Sequence, residues 1–344
     1  MLGIDSRAAR FAWTAALVCL LLYVIYLVRS TLLVFTLALL LAYLLYPLVN
    51  LLDRFLPGRT RTPALALAYL IFLGVLIAVG SQIGSRVVSQ AAKLATDFPT
   101  RYENWQPPAQ LEALKTEWLP RLQTELVNHG ASLFANLPQA GVRFLSVASS
   151  AIYFVIIPIL SFFFLKDGAA IRDHILDLVD EGPRRVLVDD VMEDIHLLLA
   201  HYMRALVLLS LSAFTAFGIC FSIMGVPYSI LLAALGGILE FIPMVGPLTA
   251  GAVIVMVAAV SGINVLPVLV FLLAYRVFQD YILSPHLMKQ GVELHPLLVL
   301  FGVFAGAEIA GVAGTFLSVP VLAMARVVYV RIRKTRVGVK LAAG

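Results

Sequence analysis

Charge is scarce in this chain. Only 13% of its 344 residues are Asp, Glu, Lys or Arg, while 61% are hydrophobic. A soluble domain is about 25% charged and about half apolar. There is too little polar surface here to cover a water-facing globule, so lipid is the expected solvent. Cysteine is scarcer still. Cys19 and Cys220 lie far apart inside apolar runs, which excludes a disulfide framework and a zinc spacing. No GxxxxGK(S/T) run is present, so ATP hydrolysis on a phosphate loop is not expected. Without an HExxH run, a GxSxG run or paired aspartates within the spans, nothing points to an enzyme or calls for a cofactor. The net charge of +5 is small and scattered, with no basic groove interleaved with aromatics, so nucleic acid is not an expected partner. His196 and His201 are five apart, do not share a helix face well and have no third ligand nearby, so no metal site is expected.

What the chain has is long apolar runs. Runs of roughly 17–25 residues read as membrane helices. Six plain ones occupy 11–28, 31–52, 63–84, 145–165, 205–224 and 264–284. Arg7 and Arg10 before the first run imitate a signal peptide, but its length and the lack of a small-residue cleavage site point to an uncleaved span. Two further runs, 229–261 and 297–325, are too long for one ordinary span and carry Gly or Pro near their middles.

Basic residues orient these spans. They fall at Arg7 and Arg10, at Arg54, Arg59 and Arg61, at Lys289, and six times from Arg326 onward; the opposite short turns hold only Arg29. Both termini are therefore expected inside. Run 229–261 must then enter and leave from outside, and run 297–325 from inside. Each is expected to be a hairpin, either re-entrant or a pair of short spans. Half-runs of about 14–16 residues reach only about 21–24 Å as helix, short of a core of roughly 30 Å.

The expected fold is an all-α polytopic membrane protein with about six full transmembrane helices plus two helical hairpins entering from opposite sides. The stretches LGGILEFIPMVGP and FAGAEIAGVAGTFLSVP each place small residues, an acid and a glycine-containing break in that order. Such a match is one signature of an inverted repeat; short Gly- and Pro-rich matches also arise without one. The chain divides into three spans (1–84), an extracytoplasmic helical segment (85–144), a fourth span (145–165), a cytoplasmic amphipathic segment (166–204), a hairpin-bearing core (205–330) and a basic cytoplasmic tail (331–344).

The first hairpin carries the clearest candidate chemistry. Glu240 sits inside GGILEFIPMVGPLTAG, and a charge at that depth costs about 2.5 kcal/mol or more without partners. A buried carboxylate binds either a proton or a cation, and that competition is the simplest antiport device. Pro243, Gly246 and Pro247 break the helix and free backbone carbonyls and amides that can hold a cation or a polar solute. The other reading is that Glu240 caps the broken hairpin's own amides. Glu308, Gly311 and Gly314 repeat the pattern in the second hairpin. Arg276 and Asp280, with i, i+4 spacing, permit an ion pair. His295, beside Pro296 at the start of the second hairpin, is either a group that titrates near neutrality or a polar helix cap.

The runs GGILEFIPMVGP, YILSPHLMKQGVELHPLLVL and GAEIAGVAGTFLSVPVLA, with ATDFPTRYENW and AHYMRALVLL earlier, resemble the AI-2E transporter family over nearly the whole chain. The resemblance implies a multi-pass transporter of the bacterial inner membrane. Its cargo would be a small polar solute such as autoinducer-2, or Na⁺ or Li⁺ exchanged for H⁺. The sequence departs from the family pattern at Phe278, Gln279, Asp280 and Tyr281, where the expected acid of a Gln-rich turn is displaced by one residue. That weakens any carry-over of a role to Asp280. Besides lipid, solute or cation, and protons, the small-residue helices fit a homo-oligomer. A competing class is a membrane scaffold or sensor whose segments 85–144 and 166–204 bind partners.

Overall fold

The structure is a computed structural model that describes residues 6–56, 61–103, 151–287 and 294–342. Among the described residues every regular element is a helix. In chain order these are α1 (Ser6–Leu27), α2 (Arg29–Phe55) and α3 (Thr62–Val79), which passes through a π-helical turn (Gly80–Gly84) into α4 (Ser85–Glu103). Then come α5 (Ala151–Asp177), α6 (Pro183–Ile223), α7 (Ser229–Leu239), α8 (Val245–Val260) and α9 (Val265–Phe278). A second π turn (Gln279–Leu283) leads into α10 (Ser284–Leu287), and α11 covers Pro296–Ala342.

Among the described residues, six stretches are long and apolar enough to cross a membrane: Arg10–Leu27, Arg29–Phe55, Thr62–Phe98, Pro183–Ile223, Val265–Leu287 and Pro296–Lys334. Their outward faces are rows of exposed Leu, Ile, Val and Phe, with Leu20, Leu21 and Leu22 of α1 all more than half exposed. Apolar surface on that scale is stable only against lipid or another protein. The chain is a polytopic membrane protein.

Several boundaries differ from the sequence reading. The run 63–84 does not end there, because α4 continues it and buries Leu94 and Phe98 in the core. Residues 104–144 of the expected extracytoplasmic segment, and 145–150 of the fourth span, lie outside the described residues. The rest of that span is the first part of α5, which runs on to Asp177. The division at 204–205 falls inside α6, which is continuous from Pro183 to Ile223.

Both odd runs fold back on themselves. In 229–261, α7 and α8 pack together around a five-residue turn, 240–244. In 297–325 the reversal sits at Ala310 (φ −145°, ψ 21°) and Gly311 (φ 58°, ψ −138°). A Cβ on Gly306 would lie 2.3 Å from the carbonyl oxygen of Gly314, and one on Gly314 would lie 2.0 Å from that of Gly306. Eight residues along a straight helix would separate them by about 12 Å. Gly302 against Ser318 and Leu322 continues the same antiparallel pairing. Although Pro296–Lys334 is long enough to cross as one rod, it doubles back at its glycines.

The main core lies between α6 and the first hairpin. Phe217, Phe221, Leu232, Ile254 and Val268 are buried there. Phe217 meets the Tyr275 ring edge-on at 5.0 Å between centroids. Gly236 makes this packing fit, since a Cβ there would come within 2.5 Å of the Phe217 ring. The helix α4 ties down the start of the hairpin. Tyr228 donates to Asp97 at 2.7 Å, and Gln90 accepts from the Leu231 amide, an orphan donor in the first turn of α7, at 2.9 Å.

The acids of the 166–204 segment form a clasp. Arg172 of α5 reaches Asp189 at 2.6 Å and Glu193 at 3.1 Å. Arg331, in the tail segment, grips Asp194 with two guanidinium nitrogens and Asp190 with a third at 3.1 Å. These side chains are a third to a half exposed, and an exposed pair contributes only about 0.2–1 kcal/mol. Arg331→Ala should therefore lower the thermal midpoint by roughly 1–2 °C at most at low salt. The gap to wild type should close at about 1 M salt, where the screening length is about 3 Å. A salt-independent loss would mean that packing, not charge, holds the clasp.

Candidate functional site

The turn of the first hairpin is built from the residues that broke the apolar run. Pro243 has no amide hydrogen to continue α7. Pro247 falls in the first turn of α8, where a missing amide is tolerated. Between them Met244 takes φ 63°, a conformation rare for a residue with a side chain. Gly246 lets the two arms touch: its amide donates to the Ile242 carbonyl at 3.0 Å, and its Cα lies directly beneath the Leu239 carbonyl.

Glu240 occupies the first position of this turn and is 8% exposed. It bonds no backbone amide; its partner is Gln279, whose Nε2 donates to Glu240 Oε2 at 2.7 Å. The cap reading of Glu240 is therefore not what the structure shows. Gln279 is 3% exposed and opens the π turn that follows α9. A π turn inserts one residue into the helical register and recurs at functional sites.

Around this pair lies a cavity of about 340 Å³. Glu240, Pro243, Met244 and Pro247 form one wall, and Arg276, Gln279, Asp280 and Ser284 form a second. Helix α6 adds Leu198, His201, Tyr202, Leu206 and Leu209. The base of the second hairpin closes it with Leu294, Val299, Val319 and Ala323. The site is therefore mostly apolar with a few convergent polar groups, the usual makeup of a small-ligand pocket. Among the described residues, two polar atoms here are buried without a partner, Gln279 Oε1 and the Tyr202 hydroxyl.

The predicted residues separate into two groups. Glu240, Pro243, Pro247, Arg276, Gln279 and Asp280 line the cavity together, with Gly246 directly behind the turn. Arg276 and Asp280 pair at 2.8 Å, each about two-fifths exposed. Glu308, Gly311 and Gly314 do not join them. They sit at the far turn of the second hairpin, where Glu308 is exposed. The base of that hairpin lines the cavity and its tip does not, so the two acids do not converge within one chain. His295 accepts from the Leu297 amide through Nδ1 at 3.3 Å, the helix-cap arrangement, with Pro296 as the first residue of α11. His196 packs on Tyr43 and Tyr46, away from His201.

Tyr202, Met244 and Ser284 were not singled out from the sequence. Tyr202 had a signal, since it lies in a polar cluster (His201, Tyr202, Arg204) within an otherwise apolar stretch. Met244 and Ser284 had none.

An all-helical membrane protein with a buried carboxylate at a hairpin turn, facing a cavity with a few convergent polar groups, has the architecture of a membrane permease. The family model described as "AI-2E family transporter" matches residues 15–334, and the chain belongs to that family. It is similar to "Putative transport protein YueF" of Bacillus subtilis, 25% identical over 84% of this chain and 81% of that one. It is similar to "Putative transport protein YrrI" of the same organism, 30% identical over 54% and 53%. It is also similar to "Putative permease PerM" of Escherichia coli K12, 24% identical over 85% and 84%.

Proposed function

We propose that this chain is a secondary transporter of the bacterial inner membrane, with both termini cytoplasmic. In this reading it exports a small polar solute of the autoinducer-2 kind and couples that movement to protons through Glu240. The single observation that carries the reading is Glu240, buried and bonded only to a neutral amide, in the wall of the 340 Å³ cavity. The volume favours a solute over a bare ion, since liquid water occupies about 30 Å³ per molecule and small-ligand pockets begin near about 300 Å³. Exchange of Na⁺ or Li⁺ for H⁺ is the second reading, favoured by the two oxygens, Glu240 Oε and Gln279 Oε1, that one site offers a cation.

The test uses proteoliposomes with an internal pH dye. Labelled autoinducer-2 efflux is followed with the dye signal, and a Na⁺ or Li⁺ pulse is applied separately. Efflux accompanied by proton movement, with both lost in Glu240→Gln, is the expected result. A proton signal driven only by the cation pulse would select the exchange reading. No flux of either kind in folded wild-type protein would overturn transport through this site.

A further inference from the structure

We propose that Gln279 is a positioning residue that converts the protonation state of Glu240 into the hydrogen-bond polarity of the cavity wall. The wall then accepts hydrogen bonds while Glu240 is ionised and donates them once Glu240 is protonated. The swap needs only geometry; its consequence for transport rests on the reading given above.

The Gln279 side chain has two donor hydrogens on Nε2 and an acceptor at Oε1. Against an ionised carboxylate only Nε2 can face Glu240, because two acceptors repel. That is the arrangement seen, with Nε2 2.7 Å from Glu240 Oε2. It leaves Oε1 buried and without a partner in a residue that lines the cavity. Buried polar atoms nearly always have a partner, and each exception needs a reason. The Tyr202 hydroxyl is a second such atom, in another residue that lines the cavity. A solute that gives a hydrogen bond to Oε1 and shares one with Tyr202 would satisfy both.

Protonation inverts this. On acidification Glu240 takes up a proton supplied by hydronium from the bulk solution and becomes a donor, and Gln279 Oε1 is the acceptor within reach. Half a turn of the amide about its last bond exchanges Oε1 and Nε2. The two ends have nearly the same shape, so the packed surroundings need not move. The cavity now meets an amide donor where it had an acceptor, and a donor-bearing solute loses its contact. The ligand class that follows is a neutral or cationic solute rich in hydrogen-bond donors; an anion would meet two acceptor oxygens in the ionised state.

Among the described residues, the other charged and titratable groups around Glu240 are few. Arg276, Asp280 and Tyr275 come from α9 and its π turn, and His201 and Tyr202 from α6. Arg276 and Asp280 neutralise each other across 2.8 Å. Among the described residues, the second hairpin presents Leu294, Val299, Val319 and Ala323. His201, with Nδ1 2.7 Å from the Leu197 carbonyl, also lines the cavity, and its replacement serves as the control.

Infrared difference spectroscopy on the full chain in lipid, with the glutamine side-chain carbonyl carbons isotope-labelled, tests the swap without any transport assay. On acidification, wild type should gain a protonated-carboxyl band and, at the same midpoint pH, a shift of a labelled glutamine band. Glu240→Gln should lose both signals. Gln279→Met should keep the carboxyl band and lose the glutamine shift, and His201→Gln should keep both. A carboxyl band with no glutamine shift in wild type overturns the proposal. So does a shift that survives Glu240→Gln, or no carboxyl band at any pH. The decisive wild-type comparison needs no variant to fold. Coupled bands without flux would sink the transport reading alone, and flux without coupled bands would sink the swap alone.

Discussion

Gly246→Ala is expected to cut flux about 10²-fold and to lower the thermal midpoint, while Gly251→Ala, five residues on in α8, changes neither. A Cβ at Gly246 would lie 1.8 Å from the Leu239 carbonyl oxygen, 2.7 Å from its carbon and 3.3 Å from Ile242 Cβ. The first two atoms are backbone and cannot rotate away. The Leu239 carbonyl already accepts from the Ile242 amide at 2.9 Å, which fixes its direction. The arms of the hairpin must part by roughly 1 Å or more to bring that contact to an ordinary Cβ distance. Overpacking a core costs about 1–3 kcal/mol and sometimes more, and a clash of backbone on backbone belongs at the upper end. Glu240 sits at the start of the displaced turn. Its 2.7 Å bond to Gln279 does not tolerate a shift of that size, and misplacing a working group by about 1 Å typically costs about 10²-fold. A Cβ at Gly251 would meet nothing within 4 Å, so that position supplies the control. Thermal melting and flux of the two variants, side by side, decide it. A Gly246→Ala protein with wild-type flux and midpoint would mean that the two arms of the hairpin part without disturbing Glu240.

The first hairpin was legible because its break is covalent. Pro243 and Pro247 remove amide hydrogens wherever they stand, and an acid beside them in an apolar run is costly enough to mark a site. The second hairpin was legible as a fold, but its acid lies at the far turn, away from the cavity. Gly306 and Gly314 are small for backbone contact, Gly311 takes φ 58° at the reversal, and the nearby Glu308 copies the Glu240 pattern without sharing its surroundings. Local pattern carries no information on which end of a hairpin meets which helix. The bond from Gln279 to Glu240 shows the limit most sharply. Charge drew attention to Asp280, yet Asp280 pairs with Arg276 at the rim and the neutral residue beside it reaches Glu240. The π turn that begins at Gln279 sets this register, and a π turn leaves no mark in composition or period. The clasp of Arg331 on Asp190 and Asp194 was hidden for a different reason: partners 141 and 137 residues apart meet only once α11 has folded back.

Substitutions at Glu240 should rank differently for stability and for transport, and that disagreement separates a working carboxylate from a structural one. Glutamine has nearly the same shape as Glu240, and its carbonyl can still accept from Gln279 Nε2. It also removes the desolvation penalty of a buried charge. Glu240→Gln should melt at or above wild type. Glu240→Asp withdraws the carboxylate by about 1.5 Å, one carbon–carbon step along the chain, and loosens the bond; it should melt somewhat lower. Glu240→Leu leaves the Gln279 amide wholly unpaired in a buried site, which costs about 1–3 kcal/mol, and should melt lowest. Transport should follow the ability to ionise instead. Aspartate should retain part of the coupled flux. Glutamine and leucine should both fall to background, about 10²-fold or more below wild type, equivalent to roughly 2.7 kcal/mol at the barrier. Glutamine is the informative variant, because it is expected to be the most stable of the series and among the least active. If its flux matched wild type, Glu240 would be a hydrogen-bond acceptor and nothing more. If stability and flux fell in parallel along the series, the carboxylate would act only through the shape of the hairpin.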